Sequence, residues 1–116
     1  MTVLCYPRCS TCRKAQVWLE ENNIAHDYRD IKTENPTLEE LTAWYKRSGL
    51  PLRKFFNTSG LLYKSMDLKN KLPTMTEEEM LQLLASDGML VKRPMVVTED
   101  FVLVGFKEEE WVKKLK

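Results

Sequence analysis

The sequence contains no apolar run approaching the ~20 residues that cross a bilayer, a single histidine (His26) and three cysteines. The first absence excludes a helical membrane span. The start, Met1-Thr2-Val3-Leu4, runs straight into a strand-like stretch instead of a charged and apolar leader, so a cytoplasmic location is expected. Three cysteines, Cys5, Cys9 and Cys12, make a poor disulfide framework. Two of them form a Cys-x-x-Cys motif, which reads as redox or metal chemistry in a reducing compartment. A zinc site would need Cys9, Cys12, His26 and a fourth ligand, at a spacing that zinc motifs do not use. No metal is therefore expected, and His26 is read as structural or solvent-facing. Lacking any other histidine, the chain also offers poor material for a cysteine–histidine hydrolase pair. Charge of one sign is missing too: 18 Lys and Arg face 17 Asp and Glu. That balance gives no electrostatic reason to bind nucleic acid directly or a membrane surface.

What is present suits one domain, residues 1–116, built around one core. Thr2 to Tyr6 reads as a short buried strand containing Cys5, taken as a small apolar filler. From Ser10 the period becomes helical, with Ala15, Trp18 and Leu19 on one face and Asn22-Asn23 at the end. Ala25 to Ile31 reads as a second, more polar strand. Asn35-Pro36-Thr37 opens a helix with a capping box to Glu40, and Gly49-Leu50-Pro51 stops it. Short helices follow over Leu52–Phe56 and Tyr63–Lys71. Thr76 to Glu79 repeats the capping box before Met80, Leu81, Leu83 and Leu84, and Gly88 closes that helix. Met66, Met75, Met80, Met89 and Met95 show no ligand spacing and read as core fillers. Pro94–Thr98 and Phe101–Val104 form a hairpin across Glu99-Asp100, and Glu108–Leu115 is a terminal helix. The order is β-α-β, helices over about 37–87, then β-β-α. This is an α/β domain, a thioredoxin-like mixed sheet with a helical insertion.

The chemistry concentrates in Pro7-Arg8-Cys9-Ser10-Thr11-Cys12-Arg13-Lys14, where a strand hands over to a helix. Free backbone N–H groups and aligned peptide dipoles at a helix start stabilise a thiolate, the reactive form of cysteine. Arg8, Arg13 and Lys14 push the same way. Cys9 is thus the expected nucleophile and Cys12 its resolving partner, the two forming a redox-active disulfide.

Tyr6-Pro7-Arg8-Cys9-Ser10-Thr11-Cys12-Arg13-Lys14-Ala15, together with Lys92-Arg93-Pro94-Met95-Val96-Val97, resembles the arsenate reductase (ArsC) family, which includes Spx-type regulators of Gram-positive bacteria. Phe55-Phe56-Asn57-Thr58-Ser59-Gly60 and Val104-Gly105-Phe106 are similar to stretches of less characterised Gram-positive members. The resemblance implies a thioredoxin-like fold with a helical insertion and a cis bond before Pro94. It assigns Cys9 as nucleophile and Arg93 as the arginine that holds an oxyanion or stabilises a thiolate. It implies no bound cofactor, with glutathione, glutaredoxin or thioredoxin as reductant. The chain departs from the glutathione-coupled reductases where they carry further arginines. The counterparts here are Asn57 and the Gly105-Phe106 pair, none of them cationic.

Three functions follow as expectations. The first is a thiol–disulfide oxidoreductase of arsenate reductase type, acting with a redox partner protein or small thiol. The second is an Spx-type redox-sensing regulator that binds the RNA polymerase α subunit, for which Gly49 is the nearest match to the family's contact glycine. The third is a redox-inert binding module on the same fold.

Overall fold

The computed structural model describes all residues, Met1–Lys116. Four strands, β1 (Thr2–Cys5), β2 (Asp27–Asp30), β3 (Met95–Val97) and β4 (Val102–Val104), form one sheet in the order β2-β1-β3-β4. β1 pairs parallel to β2 and antiparallel to β3, and β3 pairs antiparallel to β4. Six helices accompany them: α1 (Ser10–Glu21), α2 (Leu38–Ser48), α3 (Leu61–Ser65), α4 (Leu68–Lys71), α5 (Glu77–Ser86) and α6 (Glu108–Leu115). The fold is the expected thioredoxin-like mixed α/β arrangement. No helix is long and apolar enough to cross a membrane.

Strand alternation sorts the core into two layers. On one face, Val3, Cys5, Val96 and Leu103 pack against Cys12, Ala15 and Leu19 of α1 and Trp111 of α6. On the other, Leu4, Met95 and Val102 pack against Leu41, Trp44, Phe55 and Leu84 of the helical middle. Leu4, Leu19 and Met95 are fully buried, and each such side chain stabilises the fold by about 1.5–3 kcal/mol.

Local chemistry sets most element ends. Both expected capping boxes form, Thr37 with Glu40 and Thr76 with Glu79. Gly49 ends α2 in the left-handed region, at φ 68°. α6 runs over the expected residues, with Glu108–Glu110 at its start and Lys113 and Lys114 at its end, as its dipole favours.

Several boundaries differ from expectation: β1 stops at Cys5, the short helix expected over 52–56 is a 3-10 turn over Leu52–Phe55, β3 covers only Met95–Val97 and β4 starts at Val102. Three further differences have identifiable local causes. β2 begins at Asp27 rather than Ala25, because Asn23 turns left-handed at φ 54° and Ile24 N–H still donates to Leu19 O at 3.0 Å. The helix expected over Tyr63–Lys71 starts earlier and breaks in two. Asp67 adopts φ 53°, a conformation that Asp tolerates better than most residues, and its carboxylate accepts from Asn70 Nδ2 at 2.8 Å. α5 stops at Ser86, before Gly88. Asp87 instead caps Met89 N–H at 2.8 Å and opens a short 3-10 turn over Gly88–Leu90.

Candidate active site

α1 begins where β1 ends, and the turn between them carries the motif. Cys9 is the N-cap of α1, with extended backbone angles (φ −86°, ψ 121°) and no side-chain capping bond. Its N–H donates to Tyr6 O at 3.0 Å and its carbonyl accepts from Arg13 N–H at 3.1 Å. The Cys9 side chain is therefore half-buried at the positive end of a twelve-residue helix, where dipole and free N–H groups favour an anion. Cys12 lies one turn further on, buried, and its Sγ accepts the Tyr6 N–H at 3.4 Å. All three cysteines are free thiols.

Cys5 is the buried strand residue that the sequence suggested, and it lies beside the motif. It is wholly buried in the same packed layer as Cys12, and the Gln16 amide lies 3.6 Å from its Sγ. Donation from Cys12, reinforced by Gln16, draws the Cys5 thiol below its ordinary pKa despite burial. The same bond, with burial behind it, holds Cys12 far above the ordinary thiol value. The Tyr28 phenol on β2 is raised by burial and by the nearby thiol charge. A signal existed in the sequence: Val3 and Cys5 share one strand face, and Cys12, Ala15 and Leu19 share one helix face. What the sequence withheld was that these two faces meet. Gln16 carried no signal in the sequence, and it joins Cys5 to His26, which was read as structural or solvent-facing. His26 Nε2 lies 3.1 Å from Gln16 Oε1, and its Nδ1 lies 2.9 Å from Ile24 O.

The bond between Arg93 and Pro94 is cis, and Pro94 is buried. β3 pairs Met95 with Leu4. Extending that antiparallel register sets Pro94 opposite Cys5 and Arg93 opposite Tyr6. The Arg93 guanidinium carbon indeed lies 5.3 Å from the centre of the Tyr6 ring. Arg93 Nη1 donates to Met89 O at 3.3 Å, while its buried Nε finds no partner within the protein.

Asn57 and Gly105 are tied to the segment on either side of Arg93, between the 3-10 turn and β3. Asn57 N–H donates to Leu90 O at 2.8 Å, and Gly105 N–H donates to Pro94 O at 2.8 Å. Phe106 turns to the opposite layer, packing edge-on to Trp111 at 4.8 Å and to Trp18 at 6.3 Å. Asn57 is buried and uncharged, so Arg93 is the one cation among these expected counterparts.

Comparison with known proteins places the whole chain. The chain is 51% identical over 111 residues to the uncharacterised protein YusI of Bacillus subtilis, covering 96% of this chain and 94% of that protein. It is 29% identical to the global transcriptional regulator Spx of Enterococcus faecalis, covering 95% of this chain and 82% of the regulator. A solved structure of an ArsC family related protein from Bacteroides fragilis is 64% identical and superposes with a TM-score of 0.96, covering 99% of this chain and 96% of that one. The ArsC family model matches residues 4–114. A match over nearly the whole chain, with a relative 51% identical along it, shows that the chain belongs to the ArsC family.

Proposed function

We propose that this protein is a thiol–disulfide oxidoreductase in which Cys9 is the attacking thiolate and Cys12 the resolving thiol. The observation that carries this reading is the position of Cys9 at the α1 N-cap, half-buried and with its sulfur free of any capping bond. The Cys9 thiolate attacks one sulfur of a substrate disulfide, forming a mixed disulfide and releasing the first substrate thiolate with its electron pair. Cys12, deprotonated, then attacks Cys9 Sγ, releasing the second substrate thiolate and leaving Cys9–Cys12 oxidised. An external thiol, either glutathione or a glutaredoxin or thioredoxin partner, reduces that bond and closes the cycle. Arg93 supplies charge-assisted donors to an anionic group beside Cys9. Its unpartnered Nε–H supports that role, since a buried donor without an acceptor costs about 1–3 kcal/mol. Arsenate is a poor substrate in this reading, because Asn57 and Gly105-Phe106 bring no further cation. A Cys12→Ser variant, which cannot resolve, tests the proposal. Incubated with cell lysate, it accumulates a mixed disulfide on Cys9. A Cys9 that neither traps a partner nor reacts with small disulfides contradicts the reading.

A second reading, an Spx-type redox-sensing regulator, draws support from the similarity to a named transcriptional regulator and from Gly49. That glycine is exposed at the end of α2, and a Cβ built there meets nothing within 4 Å, leaving it open to a partner such as the polymerase α subunit. Recovery of polymerase with the Cys12→Ser protein, without a mixed disulfide, favours this reading over the enzyme.

A further inference from the structure

Cations from three distant stretches of the chain converge beside the cysteine turn, and backbone bonds bring them there. The 3-10 turn over Leu52–Phe55 carries Arg53 and Lys54. It is stitched to the segment ahead of Arg93 by an antiparallel bridge between Phe56 and Val91 and by Lys92 N–H donating to Phe55 O at 2.7 Å. Gly105 N–H, bonded to Pro94 O at 2.8 Å, anchors the stretch that leads to Lys107. Arg53, Lys54, Lys92 and Lys107 thus line one hollow of about 410 Å³. That hollow reaches Thr11 in the first turn of α1, two residues past Cys9, and neither Cys9 nor Arg93 lines it. A second hollow, of about 670 Å³, shares Arg53, Lys54 and Thr58 with the first. It adds Lys69 and an apolar lining that includes Tyr63, Met75 and Met80. Together the two make one furrow from the helical insertion to the start of α1.

The charge in this furrow is not answered from within the protein. Five of the chain's 18 cations line it, against two of its 17 acids, Glu77 and Glu110. Glu77 already accepts from the Tyr45 hydroxyl at 2.9 Å. The one ion pair between side chains, Arg29–Glu40, lies elsewhere, so all five cations lack a carboxylate partner. Lys92 is half-buried, and its Cε lies 3.5 Å from the place where a Cβ on Gly105 would stand. A cation drawn partly out of water without a partner is stabilised by an incoming carboxylate. Five charges spread along two joined hollows exceed what one small anion can meet. Nucleic acid fits less well. Phosphate-backbone binders carry a strong basic excess, whereas this chain has a net charge of +1, and apolar lining offers nothing to a phosphate. A polypeptide supplies both carboxylates and apolar side chains, and Tyr and Met are enriched where proteins bind one another.

We propose that this furrow docks an acidic segment of the protein whose disulfide Cys9 attacks. The segment lays Asp or Glu side chains along Arg53, Lys54, Lys92 and Lys107, seats one apolar side chain against Tyr63, Met75 and Met80, and presents its own cysteine to Cys9 past Thr11. The substrate class is thus a disulfide on an acidic stretch of polypeptide. This names the substrate of the proposed Cys9 chemistry and rests on it. Charge in such a furrow acts chiefly on encounter rate and on the choice among partners.

Two readouts on the full chain keep docking and chemistry apart. The first is fluorescence anisotropy with a labelled peptide of glutamates, one leucine and one serine, which cannot react with Cys9. Its lysine counterpart and a single-stranded oligodeoxynucleotide are the comparisons. The glutamate peptide is expected to bind about tenfold or more tightly than the lysine peptide, the low end of what charge steering supplies, and to weaken steeply between ~0.05 and ~0.5 M salt. Replacing its leucine by serine should cost about tenfold, and no loss contradicts the apolar seat. Lys54→Glu/Lys107→Glu is expected to abolish the preference. Lys32→Glu/Lys113→Glu, the same change of net charge outside the furrow, should retain it. Equal binding of the two peptides, equal loss in both variants, or tighter binding of the oligonucleotide overturns the proposal. The second readout replaces the peptide serine by cysteine as its 2-thiopyridyl disulfide. The Cys9 thiolate bonds to the peptide sulfur and pyridinethiolate leaves with the electron pair, so stopped-flow absorbance times the attack. The glutamate peptide is expected to react about tenfold or more faster than the lysine peptide, with the ratio falling towards one in Lys54→Glu/Lys107→Glu. A ratio near one in the parent protein contradicts delivery to Cys9. An unchanged ratio in the variant assigns the preference to Arg8, Arg13 and Arg93 around the turn and also overturns the proposal. Silence from both peptides, with binding intact, defeats the Cys9 reading while upholding the docking site.

Discussion

Arg93 lies across the ring of Tyr6, with 5.3 Å between the guanidinium carbon and the ring centre. The contact joins the residue before the cis proline to the residue that opens the cysteine turn. It also links two functions of Tyr6, whose N–H meanwhile donates to Cys12 Sγ. A guanidinium held against an aromatic face gains about 0.5–2 kcal/mol and keeps its edge donors for an anion. Tyr6 thus fixes the plane of Arg93 without using up its hydrogen bonds.

Arg93→Ala is expected to slow the reaction of Cys9 with an anionic disulfide by roughly 10–100-fold, the worth of one or two charge-assisted hydrogen bonds. Neutral dithiodipyridine should react within about twofold of the parent rate if that charge term alone is lost. Parallel second-order rate measurements with the two reagents check the difference. Equal slowing of both would show that Arg93 shapes the turn and does not hold charge.

Arsenate reduction, with glutathione and glutaredoxin supplied, is expected to stay at background. Asn57 is buried and neutral, Phe106 is locked among tryptophans, and Gly105 has no side chain. A coupled nicotinamide-oxidation assay checks this, and turnover like that of a dedicated arsenate reductase would contradict the site as described.

Glu40 makes stability acid-sensitive. Its carboxylate accepts from Arg29 at 2.7 and 2.8 Å and from Thr37 N–H at 3.0 Å. The Arg29 bond holds its pKa down at about 2. A carboxylate depressed in the folded state stabilises fully above its unfolded pKa of about 4.3, and that contribution fades as pH falls towards about 2. Glu40 is 34% exposed, so solvent screening reduces the contribution to about 1 kcal/mol. Urea unfolding of Glu40→Gln should show that loss at pH 7 and a flatter acid limb than the parent.

Two glycines should respond differently to alanine. A Cβ at Gly88 would lie 1.8 Å from the Ile31 carbonyl oxygen, a backbone atom that cannot step aside, whereas one at Gly49 meets open space. Gly49→Ala should cost about 1–2 kcal/mol, the strain of its left-handed φ. Gly88→Ala should cost about 3 kcal/mol or more, since it forces β2 away from the turn after α5. Thermal melts of the two variants check the order.

What was legible in the sequence was whatever a few neighbouring residues decide. The Thr37–Glu40 and Thr76–Glu79 boxes, the Gly49 stop and the charge-sorted α6 are local devices, and each formed. The break at Asp67 was not legible, because a left-handed Asp is permitted by its sequence context without being required by it. At the site, Cys9 and Cys12 announced themselves through spacing and helix-start placement. The partnership of Cys5 with Cys12 did not, since it depends on how α1 docks on β1. Arg93 against Tyr6 likewise follows from the β1–β3 register, which pairs residues far apart in the chain. Gln16 and His26 carry no motif at all and became visible only as a hydrogen-bonded chain.

The central claim is that Cys9 and Cys12 are the exchanging pair while the buried Cys5 stays a thiol. Mild peroxide oxidation of the full chain, followed by alkylation of free thiols and peptide mass mapping, tests it most directly. The predicted result is one reversible Cys9–Cys12 disulfide, with Cys5 recovered as an alkylated thiol after unfolding. A disulfide that contains Cys5, or no intramolecular bond at all, would contradict the account.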